Sequence, residues 1–182
     1  MVTAAKLVTI KDYEALAEDA PFELIRGVLH EVAATKYIHI VITGAFAGFL
    51  FVYSRETMPG KVLTGEGGYL LERNPDTLII PDVAFIRAER LPPQSAKNDW
   101  TRIAPDVAVE VKSPSNTQQE IAGKVAIYLA GGVSLVWVAD TDHETITAHY
   151  ADGLVQVYRV GDILDGGDVL PGFRVPVAEI FA

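Results

Sequence analysis

The sequence predicts an α/β (α+β) fold: a mixed β-sheet flanked by helices, with a C-terminal part rich in β-hairpins. Short strand-like runs stand before, between and after two substantial helical stretches, the arrangement expected when helices cover a sheet. The run Asp106–Lys112 alternates valines with other residues, the period-two signature of a strand. Arg26-Gly27 and Asp152-Gly153 each sit between strand-like segments, as two-residue hairpin turns do. No repeat or linker interrupts the chain, and its 182 residues suit one domain, 1–182, with a sizeable core.

Taken in order, Thr9 is a candidate N-cap for a first helix through Asp12–Glu18, which Pro21 ends. Phe22–Ile25 and Val28–Val32 then form a hairpin. An apolar helix spans about residues 36–56. Strands follow at Lys61–Thr64, Gly68–Glu72, Thr77–Ile80 and Val83–Arg87, with a turn at 65–69. The polar stretch 89–100, with two prolines, reads as a surface loop. Asp106–Lys112 is a strand that looks central, and Gln118–Ala130 is a helix closed by Gly131-Gly132. Ser113, Ser115 and Asn116 cap that helix, leaving Pro114 in the turn. Ser134–Asp140 is a buried strand, Glu144–Tyr150 and Leu154–Val160 a second hairpin, and the tail is irregular with a short final turn.

Composition narrows the function. There is no cysteine, which excludes disulfides and thiolate metal sites and fits a reducing compartment such as the cytoplasm. The N-terminus lacks the apolar core of a signal peptide. Tyr37 to Tyr53 imitates a membrane span and carries Gly44 and Gly48 at G-x-x-x-G spacing. It is short for a span and includes His39 and Thr43, so a buried core helix, and no membrane, is the expectation. The net charge is −9, and residues 125–182 hold two basic against eight acidic side chains. A polyanion would therefore approach the middle of the chain, where the basic residues cluster. Phosphate-loop, dinucleotide, nucleophile-elbow and H-E-x-x-H motifs are all missing, as is any DNA-reading helix-turn-helix or zinc finger.

The chemistry concentrates in residues 104–116, APDVAVEVKSPSN. On a strand, Val107, Val109 and Val111 share one face; Asp106, Ala108, Glu110 and Lys112 share the other. The valines belong to the core, and the opposite face presents an acid and a base at neighbouring positions. A second acid, Asp82, stands after Pro81 at the start of another strand, where the missing N–H of proline marks a bend or edge. Asp82 and Glu110 together make an oxygen site suited to a hard divalent cation, Mg²⁺ or Mn²⁺.

An Asp after Pro, followed by Glu-x-Lys on the next long strand, resembles the PD-(D/E)XK nuclease superfamily. The wider pattern is similar to the Uma-type family of restriction-endonuclease-like proteins. FELIRGVLHEV at 22–32, His39, PDVAFI at 81–86, PDVAVEVKSPSN at 105–116, Lys124, Tyr128, Gly132-Val133 and LVWVAD at 135–140 fall in the family's order, so that the match covers residues 20–160. Many members keep only the helical lysine, here Lys124; this chain also has Lys112, and either is open as the working lysine.

The resemblance implies a restriction-endonuclease-like fold and metal-assisted phosphodiester hydrolysis. Asp82, Glu110 and the Val111 carbonyl would hold the cation. Lys112 would orient the attacking water, Lys124 would contact the phosphate, and Glu23 would supply a further acid. On the residues alone, Glu23 equally fits a surface acid, Lys124 a solvated helix position and His39 a core or interface histidine. DNA is the expected substrate and a homodimer the expected assembly. Two other readings stand beside it: a non-catalytic member of the fold acting as a dimeric interaction module, and a hydrolase of RNA or another phosphoester using the same residues.

Overall fold

The computed structural model describes residues 7–16, 22–32, 34–65, 67–96, 99–113 and 116–182. Its first element, α1 (Ile10–Glu14), begins at the expected cap. The Thr9 side chain accepts from the Asp12 amide, and the Asp12 side chain accepts from the Thr9 amide. The helix is shorter than the sequence suggests; Glu18 and the Pro21 terminator lie outside the described residues, as do Pro114 and Ser115. β1 (Phe22–Ile25) and β2 (Val28–Glu31) form the expected hairpin, with Arg26 and Gly27 both at positive φ. α2 (Tyr37–Glu56) follows, then β3 (Gly60–Thr64), β4 (Tyr69–Glu72), β5 (Thr77–Ile79) and β6 (Val83–Arg87).

The central strand is β7 (Val107–Lys112). α3 (Gln118–Ala130) and β8 (Leu135–Asp140) come next, and β9 (Thr145–Tyr150) and β10 (Val155–Arg159) make the second hairpin. The cap of α3 is Thr117, whose side chain accepts from the Glu120 amide; Asn116 instead accepts from Ser113. Gly132, at φ +97°, lets the chain turn back after α3, with the Val133 amide bonded to the Tyr128 carbonyl. The tail holds more order than expected: β11 (Ile163–Asp165) pairs with β12 (Arg174–Pro176), and α4 (Val177–Ile180) follows.

The strands divide into more than one sheet. A six-stranded mixed sheet runs β10-β9-β8-β7-β6-β3, with β7 and β8 its parallel pair. A separate four-stranded antiparallel sheet runs β2-β1-β5-β4. β7 lies inside the large sheet, and both of its faces are covered. Val107, Val109 and Val111 join Ile42, Phe46 and Leu50 of α2 in one core. Ala108 joins Ile121, Val125 and Tyr128 of α3 in the other. The face opposite the valines is therefore interior, so the charges on it need partners.

α2 is long and apolar enough to cross a membrane by length and composition. It is only half a core helix. His39, Ile42, Phe46, Leu50 and Tyr53 face the sheet, while Tyr37, Ile40, Phe51 and Val52 are exposed. The sequence expectation of a buried helix fails because α2 is an outer layer: it has a sheet beneath it and, among the described residues, no element above.

Candidate active site

The site forms where β6 and β7 part. Their ladder ends at the pair Val83–Val109. One step further, the Asp82 amide still reaches the Val109 carbonyl (3.1 Å), and the Asp82 side chain replaces the next backbone partner: its Oδ2 accepts from the Val111 amide at 2.7 Å. The bend at Pro81, which carries the chain from β5 in the small sheet into β6 of the large one, puts the carboxylate there.

From the α2 side, the buried His39 places Nε2 3.3 Å from Asp82 Oδ2, and its Nδ1 is 3.4 Å from the Thr43 hydroxyl. Burial would lower the imidazole pKa. The hydrogen bond to Asp82, the charges of Asp82 and Glu110 and the Val111 carbonyl outweigh it and raise the value.

From the α3 side, Glu110 is buried and both of its oxygens are engaged. The Lys124 ammonium donates to Oε2 at 2.9 Å, and the fully buried Tyr128 hydroxyl donates to Oε1 at 2.5 Å. Lys124 also lies 3.2 Å from Oε1 of Glu23, an atom that accepts from the Ile80 amide at 2.9 Å. Burial pushes the Glu110 carboxyl up to about 7; Lys124 works against this, while Asp82 and Glu23 add to it. Burial would also lower the Lys124 pKa, but Glu110 and Glu23 prevail and keep it charged. Two helices and both sheets thus deliver Asp82, Glu110, Glu23, Lys124 and His39 to one neighbourhood.

Lys112 points elsewhere. It sits opposite Asp140 in the β7–β8 register, and its ammonium donates to Asp140 Oδ2 at 2.8 Å. The other Asp140 oxygen faces His143 Nδ1 at 3.1 Å and accepts from the His143 and Asp142 amides. Alternation along the strand placed Lys112 on the Glu110 face; the neighbouring strand captured its charge. Asp106, on the same face, is fully buried and held by Arg87 and Arg90 at 2.7 and 2.6 Å.

Tyr128, which the sequence reading placed in the family's order without a role, contributes directly to the cluster. The signal available was its position four residues after Lys124, one helical turn on the same face. His39 was visible, but only the bend at Pro81 brings an acid to it.

The donor set suits a hard divalent cation in kind: two carboxylates that repel one another across a buried space, a backbone carbonyl and an imidazole. Among the described residues, no group of three or more His, Asp or Glu side chains is arranged to hold an ion as they stand. The hydrogen bonds on both Glu110 oxygens show why, since the carboxylate is turned toward Lys124 and Tyr128.

The fold is that of a nuclease-like α/β domain. The structure resembles the crystal structure of a "putative nuclease belonging to DUF820" from Anabaena variabilis, with a TM-score of 0.84 over 96% of this chain and 97% of that one. At 17% identity, that likeness concerns the fold. The profile of the Uma2 family, described as "Putative restriction endonuclease", matches residues 10–178, and the chain belongs to this family. The resemblance read from the sequence motifs is thereby borne out. No curated protein matches the chain.

Proposed function

We propose that this protein is a divalent-metal-dependent DNA endonuclease that hydrolyses phosphodiester bonds with Mg²⁺ or Mn²⁺, acting in the cytoplasm as a homodimer. The observation that carries the reading is the half-buried Lys124 ammonium, bridging the buried Glu110 and Glu23 beside the Asp82–His39 pair at the fork of β6 and β7. A structural role alone gives little reason to gather two buried acids, Glu110 and Glu23, and the half-buried Asp82 beside one lysine, because each buried charge costs several kcal/mol unless fully paired, on the order of the stability of a whole domain.

In this reading Asp82, Glu110 and the Val111 carbonyl hold the cation, with His39 as a further ligand. The chemistry a divalent cation supplies there is a lowered pKa for a bound water and neutralisation of charge on the phosphate. To hold a cation, Glu110 would have to give up its contacts with Lys124 and Tyr128. Lys124, held protonated, is then free to face the phosphate oxygens and to stabilise the negative charge that builds on them. Glu23 keeps the lysine in place through its own bond to the Ile80 amide. Lys112, paired with Asp140 at the strand end, takes no direct part in this reading.

Plasmid cleavage in Mg²⁺ or Mn²⁺ tests the reading. Asp82→Ala and Glu110→Ala should abolish it, Lys124→Met should lower it by about 10² or more, and Lys112→Met by less. Absence of cleavage of any DNA or RNA by the pure protein would overturn it. One observation favours the second reading, a non-catalytic interaction module: no three ligands converge in the described conformation. Calorimetry separates the two. Mn²⁺ binding that is lost in Asp82→Ala supports the enzyme, and no binding by the unaltered protein supports the module.

A further inference from the structure

We infer that the outer face of α2 is the surface through which two copies of this chain pair, with the two helices antiparallel about a two-fold axis at the height of Phe46. The inference is independent of the chemistry proposed above.

The face is apolar and open. Tyr37, Ile40, Phe51 and Val52 are 82%, 61%, 57% and 51% exposed, with Gly44 and Gly48 between them. From Tyr37 to Ser54 the helix carries no Asp, Glu, Lys or Arg, and its single histidine, His39, is buried on the inner face. This leaves an uncharged stripe about 27 Å long, of a kind that soluble proteins reserve for contacts.

The order of residues along the stripe says what covers it. Gly44 and Gly48 are equidistant from position 46; so are Val41 and Phe51, Ile40 and Val52, and Tyr37 and Arg55. In an antiparallel pair, each residue comes to the height of its counterpart on the second copy. The glycines meet at the centre, where an added Cβ finds nothing in its own chain within 4 Å, so two backbones can approach closely. Branched and aromatic side chains flank them. At each end the exposed Tyr37 ring comes to the level of a guanidinium, a cation–π arrangement. The patch is thus complementary to itself, as a two-fold interface requires.

A lipid surface fits less well. Interfacial helices carry a cationic rim, whereas only Lys36 and Arg55 border this stripe, beside Glu56, on a chain of net charge −9. The inner face of α2 is locked to the sheet through Ile42, Phe46, Leu50 and Tyr53, so the helix cannot insert on its own.

Sedimentation of the full chain over a wide concentration range reads the association. Dimers are expected, with Ile40→Lys and Phe51→Lys each weakening association at least tenfold while leaving circular dichroism unchanged, and leaving the thermal midpoint unchanged at concentrations low enough for both chains to be monomeric, since both positions are exposed. Because the chain has no cysteine, single cysteines report orientation cleanly. Nitroxide labels on Tyr37→Cys should lie about 27 Å or more apart within the dimer, and those on Val41→Cys, clear of the glycine contact, closer, at about 15 Å along the helix axis. Four results would overturn the inference: a monomer at every concentration; a dimer indifferent to both lysine variants; labels at position 37 closer together than those at 41; or flotation of the wild-type chain with anionic vesicles that the lysine variants abolish.

Discussion

Replacing Glu110 by Gln should make the protein more stable while removing the cation binding proposed for it. The Glu110 carboxyl titrates near 7 in the fold, against an ordinary 4.5, because burial and the neighbouring acids outweigh Lys124. Below pH 4.5 the group is protonated in both folded and unfolded chains and exacts no penalty. Between 4.5 and 7 the unfolded chain releases the proton while the folded one keeps it, so stability falls as pH rises. Above 7 the loss is complete, at about 3 kcal/mol. Gln mimics the protonated acid and can still accept from the Tyr128 hydroxyl. Urea denaturation of the two proteins from pH 5 to pH 9 is the assay. The variant should gain over wild type steadily through pH 5–7 and then level off at about 3 kcal/mol, a rise of about 6–12 °C in thermal midpoint for a chain of this size. Groups common to both proteins, His39 among them, cancel in the difference to first order. Added Mn²⁺ should raise the wild-type midpoint and leave the variant unmoved. A variant no more stable than wild type at pH 8, or a difference that does not change with pH, would refute the account of Glu110 as an unpaid buried charge.

Two further outcomes follow from the charges around β7. The Asp140 carboxyl is held at about 2: burial opposes this, but hydrogen bonds from Lys112, His143 and the backbone amides of residues 142 and 143 prevail. Its contribution is present above the ordinary carboxylate pKa and is lost as pH falls through about 2. Asp140→Asn should therefore cost about 1–2 kcal/mol at pH 7 after allowance for solvent, with a smaller gap at pH 3 in the same urea titration. Asp106→Ala strips the fully buried partner from Arg87 and Arg90 and should cost about 3 kcal/mol, seen as a lower denaturation midpoint; a loss under about 1 kcal/mol would show that the guanidinium groups find other partners.

The sequence alone determined the elements and most of the chemistry-bearing residues. Alternation in VAVEVK marked the central strand, the Thr9 cap marked where α1 begins, and the glycines after α3 and inside both hairpins marked where the chain reverses. These signals are local: side-chain period, cap chemistry and positive φ act within a few residues. Asp82, Glu110 and Lys124 stood out because an acid after Pro and an acid–base strand are local patterns too.

Tertiary structure decided which of these groups meet. Lys112 and Lys124 were equivalent in the sequence; strand register delivered the first to Asp140, and the docking of α3 against β7 delivered the second to Glu110. Glu23 reaches the cluster because the small sheet abuts the large one, and His39 because the first turn of α2 lies over the fork left by Asp82. The division into separate sheets and the bare outer side of α2 were equally out of reach. Each depends on contacts between residues tens of positions apart, where the outcome rests on which neighbour claims a charge or covers an apolar face, and no short-range rule encodes that choice.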